Sequence, residues 1–184
     1  MLQPLLPASA LAANMAEIKP PLRPAEALVE ASRCLYCFDA PCITACPTGI
    51  DIPAFIKKIA FGHPASAAKT ILTANILGAS CARVCPTSVL CEGACVLEDR
   101  DEQPIQIGRL QRFATDYVEQ RGLTVLAPPA TQTGRKIAVI GAGPAGLGCK
   151  TAVSLAIGIN WWRNIIHYKV CMMPLIILMQ QQVW

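Results

Sequence analysis

The sequence lacks the residue sets on which most catalytic sites depend. It has only two histidines, His63 and His167, and no Ser/His/Asp set, paired-carboxylate site or phosphate-binding P-loop. General acid–base and nucleophilic catalysis need such groups side by side, so no catalytic residue is predicted and both histidines are interpreted as incidental. No acidic residue follows Glu119, which bears on a cofactor site considered below.

Long apolar runs and basic stripes are also missing. No uninterrupted apolar run reaches the roughly 18 residues that span a bilayer, so no membrane helix is predicted. The stretch from Leu5 to Ala13 resembles the core of a signal peptide, but no Lys or Arg precedes Lys19. The net charge is only +4 and the basic residues are scattered. We therefore expect a cytoplasmic protein with no membrane or nucleic-acid partner.

Cysteine is the residue that the sequence has in excess. It has ten, of which eight lie between Cys34 and Cys95 in two blocks, C-x2-C-x4-C-x3-C-P from Cys34 and C-x3-C-P-x4-C-x3-C from Cys81. In a reducing compartment, clustered cysteines more often bind metal than form disulfides. Short gaps wrap around an iron–sulfur cube, whereas zinc sites usually repeat C-x2-C pairs. The spacing favours two [4Fe–4S] clusters over zinc or disulfides, and the isolated Cys149 and Cys171 are expected to be free.

Two of these cysteines, Cys46 and Cys85, are each followed by proline. In two-cluster ferredoxins the cysteine before a proline binds the other cluster. We therefore expect the two blocks to exchange ligands.

Apolar periodicity predicts that the cysteine region is mainly helical. Helices are predicted over 25–33, from the capping residue Asp51 to Gly62, from Pro64 onward, and over about 105–120. The side chains expected to pack from the last helix toward the clusters are Leu110, Phe113 and Tyr117.

After this helix the sequence predicts a linker, a strand and a glycine-rich turn in place of further helical periodicity. Residues 122–134 form a Pro- and Gly-containing linker. The stretch 135–140 predicts a strand that leads into G-A-G-P-A-G and a helix, which is the order of a dinucleotide-binding turn. The candidate cofactor-binding residues are Gly141, Gly143, Pro144, Ala145 and Gly146.

The predicted architecture is a helical two-[4Fe–4S] ferredoxin-like domain followed by an incomplete Rossmann-like α/β fragment. Residues from about 157 onward include all three tryptophans and show no clear period. They are interpreted as a truncated or frame-shifted end, with a hydrophobic partner-binding tail as the alternative. The expected parts are an extension (1–16), the iron–sulfur domain (17–121), the linker (122–134), a Rossmann-like start (135–156) and the tail (157–184).

The cysteine motifs resemble those of a known family. The segments RCLYC (33–37), VCPTS (84–88) and CEGAC (91–95) are similar to the N-terminal domain of dihydropyrimidine dehydrogenases. The resemblance covers about residues 25–155 and is strongest to the bacterial NAD-linked subunit. The small subunit of glutamate synthase is a more distant match.

The resemblance implies an electron-transfer segment of an NAD(P)H- and FAD-dependent oxidoreductase. Electrons would pass from NAD(P)H to FAD, through the clusters, and on to an FMN-containing catalytic subunit or domain that reduces uracil or thymine. A glutamate synthase-like electron donor is the alternative. An alternative of another class is a non-catalytic zinc or cluster remnant that serves assembly.

The resemblance also implies a ligand set, which differs from the one that spacing suggests. It assigns the first cluster to Cys34, Cys37, Cys42 and Cys95, and the second to Cys46, Cys85, Cys91 and Gln111. Cys81 would then be a buried non-ligand. Spacing alone would make Cys81 the eighth ligand, so the choice between it and Gln111 stays open. A neutral carboxamide ligand would by itself favour the reduced cluster.

The resemblance further identifies the glycine turn as an FAD-binding turn. Such a site needs an acidic residue about 20 positions later to hold the ribose hydroxyls. Because no acid follows Glu119, we expect this chain to retain little FAD.

Overall fold

Helices account for most of the regular structure. The computed structural model describes residues 7–15, 17, 19–100, 102–127, 139–141, 143–157 and 176–177. Within them the α-helices are α1 (Ala8–Asn14), α2 (Pro24–Ser32), α3 (Pro41–Thr44), α4 (Ile52–Ala60), α5 (Pro64–Ala74), α6 (Gly78–Val84), α7 (Ile107–Gln120) and α8 (Pro144–Ile157). Two 3₁₀ turns cover Thr87–Val89 and Glu98–Arg100. The mainly α class is confirmed.

Helix α4 begins and ends at residues that the sequence identifies. The side chain of Asp51 accepts a hydrogen bond from the backbone N–H of Ala54 at 3.1 Å and so caps the first turn. Pro53 lies in that turn, where a missing N–H costs nothing. The chain leaves the helix through Gly62, whose φ of +77° is a left-handed conformation that favours glycine.

One apolar core joins α2, α4, α5 and α7. Phe55, Ile56, Ile71 and Leu110 are fully buried in it. Replacing a large side chain of this kind with alanine typically costs about 3–5 kcal/mol. Five of the cysteines pack against this core, so the candidate metal ligands lie at its edge: Cys34, Cys42, Cys46, Cys91 and Cys95.

The buried face of α7 differs in part from the predicted one. Leu110 is fully buried as expected, but Phe113 and Tyr117 are only partly buried. The remaining apolar core positions on this helix are Ile107, Ala114 and Val118, which recur at three- and four-residue steps. Phe113 and Tyr117 follow the same three- and four-residue steps from Leu110, but they pack against the core only as partly buried side chains.

Several helices lie where the sequence predicted none. Helix α1 falls within the segment 1–16, which was expected to be a loose extension. Helices α3 and α6 fall inside the two cysteine blocks. They are only 4 and 7 residues long, too short for apolar periodicity to reveal them. None of the described helices is both long and apolar enough to cross a bilayer.

The end of the described chain has the order strand, glycine turn, helix. Strand β1 (Val139–Ile140) precedes Gly141 and α8, and it pairs antiparallel with β2 (Ile176–Ile177). A Rossmann unit pairs its first strand in parallel, so this short pairing is a different arrangement. Residues 128–138 lie outside the described residues. So does the tail beyond 157, apart from β2, and with it the predicted truncation or frame shift.

Candidate metal centre

The first cysteine group surrounds one apolar cavity. Its walls include Ile52, Ile56, Leu97, Ile105 and Ile107. We use the name first cysteine group for the four cysteines that line this cavity, which are Cys34, Cys37, Cys42 and Cys95. Three of them come from one short segment and the fourth from the end of the second block. The cavity thus brings one cysteine of the second block beside three of the first, as the expected exchange of ligands would require.

Two unusual backbone conformations bring the local cysteines together. Tyr36 has φ +53° and Ala40 has φ +32°, both in the left-handed region that non-glycine residues rarely adopt. Each costs about 1–2 kcal/mol of local strain. The two reversals bend the chain between Cys34 and Cys42, and Pro41 then begins α3. The packing around the cavity, rather than the usual backbone preference of Tyr36 and Ala40, therefore sets the conformation of this loop.

The thiols of this group affect one another. Burial raises the pKa of Cys34, and the neighbouring Cys37 and Cys95 raise it further. Burial raises the pKa of Cys42 to about 11, and Cys34 and Cys95 again add to the rise. Buried thiols of this kind ionise readily only when a cation compensates the charge, as a bound metal does.

The second cysteine group is drawn from more distant segments. We use this name for Cys46, Cys81, Cys85 and Cys91. Burial raises the pKa of Cys85, and the nearby Cys81 raises it further. Burial raises the pKa of Cys91 to about 12, with contributions from Glu92 and Cys46. These mutual effects show that the four sulfurs share one region.

Cys46 differs from the other thiols because its pKa is lowered. Burial acts to raise it, but hydrogen bonds from the Thr48 hydroxyl and from the backbone N–H groups of Ile50, Thr48 and Gly49 outweigh that effect. The Thr48 Oγ1 lies 3.5 Å from the sulfur. Gly49, at φ +61°, turns the backbone of this loop. The loop is built to hold a sulfur that carries negative charge, as a metal-bound thiolate does.

Gln111 lies beside the same group. Its side chain is buried, and its Nε2 donates to the carbonyl of Gly78 at 2.7 Å. Within the described part of the chain, its Oε1 accepts no hydrogen bond. A buried oxygen without a donor is available to a metal, and the bond from the amide nitrogen fixes the orientation of the carboxamide. Gly78 begins α6, the helix that contains Cys81 and ends at Cys85.

Cys81, the rival for the eighth ligand, has a partner of its own. Asn75 donates from Nδ2 to the Cys81 sulfur at 3.0 Å. The Oδ1 of Asn75 accepts from the backbone N–H of Leu77 at 3.0 Å. Cys81 thus has a hydrogen-bond partner within the protein, Gln111 is bound to the first residue of the same helix, α6, and the choice of Gln111 as the eighth ligand remains a prediction.

Glu92 is a polar residue of this region that the sequence analysis missed. Its Oε2 accepts from the Thr87 hydroxyl at 2.7 Å, and its Oε1 accepts from the backbone N–H of Gly108 at 2.9 Å. A Cβ at the next residue, Gly93, would lie 2.1 Å from the Ser88 carbonyl oxygen, so the turn requires glycine. The position of Glu92 inside CEGAC was the only sequence signal, because Gly108 is distant along the chain.

The free state of the cysteines is consistent with metal binding. All nine cysteines within the described residues are free thiols. Among those same residues, no three His, Cys, Asp or Glu side chains converge on a point that one metal ion would occupy. The sulfurs instead surround space, as the cavity of the first group shows.

The predicted cofactor-binding residues meet in one turn. Gly141 has φ +105°, and a Cβ at Gly146 would lie 2.1 Å from the Gly141 carbonyl oxygen. Gly143 accepts a hydrogen bond from the backbone N–H of Leu147 at 3.0 Å as α8 begins with Pro144 and Ala145. A glycine at 146 is therefore required by the close approach of the chain to itself.

Helix α8 also contacts the region of the second cysteine group. A Cβ at Gly148 would lie 3.5 Å from the Leu77 Cδ1, which is an ordinary contact distance. Leu77 directly precedes α6, and its backbone N–H donates to the Asn75 Oδ1. Gly148 on α8 thus lies close to the Leu77 side chain, which directly precedes the helix that contains Cys81.

Comparison with known proteins identifies the family. The family model described as dihydropyrimidine dehydrogenase domain II, 4Fe-4S cluster, matches residues 11–123, which include all eight clustered cysteines and Gln111. The chain belongs to this family. It is an iron–sulfur electron-transfer domain of the dihydropyrimidine dehydrogenase family, as the motifs predict.

Individual relatives agree with this assignment. The chain is 52% identical over 131 residues to the NAD-dependent dihydropyrimidine dehydrogenase subunit PreT of Escherichia coli O157:H7, covering 71% of this chain and 31% of the relative. It is 50% identical over 131 residues to PreT of Salmonella typhimurium, again covering 71% of this chain and 31% of the relative. It is 38% identical over 143 residues to the glutamate synthase [NADPH] small chain of Halomonas elongata, and the match covers 78% of this chain and 30% of that relative. The chain spans about a third of the length of these relatives.

Proposed function

We propose that this chain binds two [4Fe–4S] clusters and carries electrons within an NAD(P)H- and FAD-dependent oxidoreductase of the dihydropyrimidine dehydrogenase type. The observation that carries the proposal is that cysteines from both blocks pack at the edge of one core, and that four of the eight, again from both blocks, line one cavity. Each group combines ligands from separate segments, so both would depend on the folded domain. When bound, the clusters would supply one-electron transfer.

The residues present fit two clusters. The first cysteine group would hold one through its four thiolates. The second would be held by Cys46, Cys85, Cys91 and Gln111, where the free Oε1 and the fixed amide of Gln111 suit a metal ligand. The hydrogen bonds around Cys46 favour the charged sulfur that coordination requires. Apolar walls around the first group keep water from the site.

Zinc fits the first group less well. In a tetrahedral zinc site with Zn–S bonds of about 2.3 Å, the sulfurs lie about 3.8 Å apart and leave no cavity between them. The four cysteines of the first group line a cavity, which we propose that a cluster occupies. The free thiols fit the reducing, cytoplasmic setting that we propose for this domain.

The glycine turn extends the proposal to flavin. We propose that residues 135–156 are the beginning of a Rossmann-like fold, following the iron–sulfur domain (17–121) and the linker (122–134). The contact of α8 with Leu77 supports a route from a flavin to the second group. Without an acidic residue after Glu119, we expect this chain alone to retain little FAD.

The partner of the domain follows from the named relatives. PreT is a subunit of an NAD-dependent dihydropyrimidine dehydrogenase. We propose that NAD(P)H is the electron donor and that an FMN-containing subunit or domain receives the electrons and reduces uracil or thymine. The identity of 52% with PreT, against 38% with the glutamate synthase small chain, favours this substrate class over glutamate synthesis.

Anaerobic purification of the full chain tests the proposal. We expect a brown protein with about eight irons and about eight acid-labile sulfides per chain, whose visible absorption bleaches on reduction. Stoichiometric zinc in a colourless protein would contradict it and favour a non-catalytic metal-binding module. Stoichiometric FAD after gel filtration would contradict the separate expectation about flavin.

A further inference from the structure

The Glu92 carboxylate connects three of the four segments that would supply ligands to the second cluster. Glu92 follows Cys91 directly. Its Oε2 is bound to Thr87, two residues after Cys85, at 2.7 Å, and its Oε1 is bound to the N–H of Gly108 at 2.9 Å. Gly108 lies in the first turn of α7, three residues before Gln111. One side chain therefore fixes the relative positions of Cys85, Cys91 and Gln111.

The same carboxylate places a negative charge beside the site. Both of its oxygens accept hydrogen bonds, and the N-terminal turn of α7 favours a negative charge. Glu92 follows Cys91 directly, so this charge lies next to a proposed cluster ligand. No ion pair within the described residues includes Glu92, so no neighbouring cation there cancels its charge. A nearby anion disfavours adding an electron to a cluster.

We propose that Glu92 is a positioning and potential-tuning residue of the second cluster. It holds Cys91 and Gln111 in fixed positions relative to each other and lowers the reduction potential of the cluster that they would bind. This inference rests on the proposed function, because it assumes that a cluster is bound there. Gln111, as a neutral ligand, would favour the reduced state, and the Glu92 charge acts in the opposite direction.

A second carboxylate at the same helix end provides a matched comparison. Glu30 accepts through Oε1 from the backbone N–H of Gln106, the N-cap of α7, at 2.9 Å. Unlike Glu92, it is paired with Arg33 at 2.9 Å. Glu30 therefore caps the helix in the same way, but its charge is compensated and it comes from α2.

The test compares the conservative variants E92Q, T87V and E30Q by anaerobic redox titration followed by electron paramagnetic resonance. The signal altered by Gln111→Ala identifies the second cluster. In E92Q we expect both clusters, a more positive midpoint potential for the second and an unchanged potential for the first. T87V keeps the Glu92 charge, and E30Q removes a charge that Arg33 already compensates. Each should shift the midpoint potential of the second cluster less than E92Q does.

Three results would overturn the proposal. The first is an unchanged midpoint potential of the second cluster in E92Q. The second is an equal shift in the midpoint potentials of both clusters in E92Q. The third is a shift of the second cluster's potential in T87V or E30Q that is as large as in E92Q. If E92Q loses the second cluster, amide hydrogen exchange at Gly108 decides between the outcomes. Faster exchange there than in the wild type supports the positioning role, and unchanged exchange contradicts it. Absence of iron and sulfide from the wild type would instead reject the proposed function.

Discussion

The two cysteine groups differ in how the chain assembles them. The first takes three of its four members from the segment 34–42 and surrounds them with apolar side chains. The second takes its members from residue 46, from inside α6, from the residue that follows α6 and from the Cys91 turn, and Gln111 on α7 is a further candidate ligand. Hydrogen bonds of Asn75, Thr48 and Glu92 connect these segments. The first group is thus shaped by one loop and the second by the packing of helices.

This difference predicts different sensitivities. A loop that surrounds its own metal site depends mainly on its ligands, whereas a site made by several helices also depends on the contacts that hold them together. Changes in the packing of α5, α6 and α7 should therefore affect the second cluster before the first. Four sets of substitutions test whether the two sites differ in this way.

Removing one thiolate from each group should separate the two clusters. We expect Cys42→Ser to lose the first cluster and Cys91→Ser to lose the second, so that iron falls from about eight to about four per chain in each. The remaining paramagnetic signals should differ between the two variants. Loss of all iron in both would contradict two independently assembled sites.

Adding one methyl group at Gly78 should damage the second site selectively. A Cβ there would lie 2.5 Å from the Ile71 Cγ2, so α6 must move from α5. We expect Gly78→Ala to lower the free energy of unfolding by about 1–3 kcal/mol and to deplete the second cluster. Gly143→Ala, where no atom lies within 4 Å and φ is not in the left-handed region, is the control for a glycine replacement without a clash or strain. Equal loss of both clusters in Gly78→Ala would remove the distinction between the groups.

The eighth ligand can be identified by two substitutions. Gln111→Ala should alter the spectrum of the second cluster and lower its iron content, because the only carboxamide ligand is lost. Cys81→Ser should retain about eight irons, since its sulfur is held by Asn75 rather than by metal in this assignment. Iron loss in Cys81→Ser with a silent Gln111→Ala would make Cys81 the ligand.

The smallest effect is expected at Thr48. Thr48→Val keeps the side-chain shape but removes the hydroxyl near the Cys46 sulfur, at a cost of about 0.5–1.5 kcal/mol. Anaerobic urea unfolding of the iron-loaded protein measures this change. The exposed Thr44 on α3 supplies the matched control, Thr44→Val, which should be neutral within error. A loss at Thr44 as large as at Thr48 would contradict a specific role for the hydroxyl.

Sequence alone predicted the helical class, the capping of α4 and the family. These depend on local signals: Asp51 and Gly62 at the helix ends, and fixed cysteine spacings. It could not reveal Glu92 or Asn75 as parts of the second site, because their roles depend on Gly108 and on Cys81 in the folded chain. Periodicity also failed for α3 and α6, whose lengths are set by the cysteine loops around them.

Native mass spectrometry of the anaerobically purified chain measures whether the domain binds two [4Fe–4S] clusters. We predict one dominant species that carries two inorganic additions, each of four irons and four sulfides. Cys91→Ser should carry one such addition. A wild-type mass equal to the polypeptide alone, or to the polypeptide with bound zinc, would contradict the account.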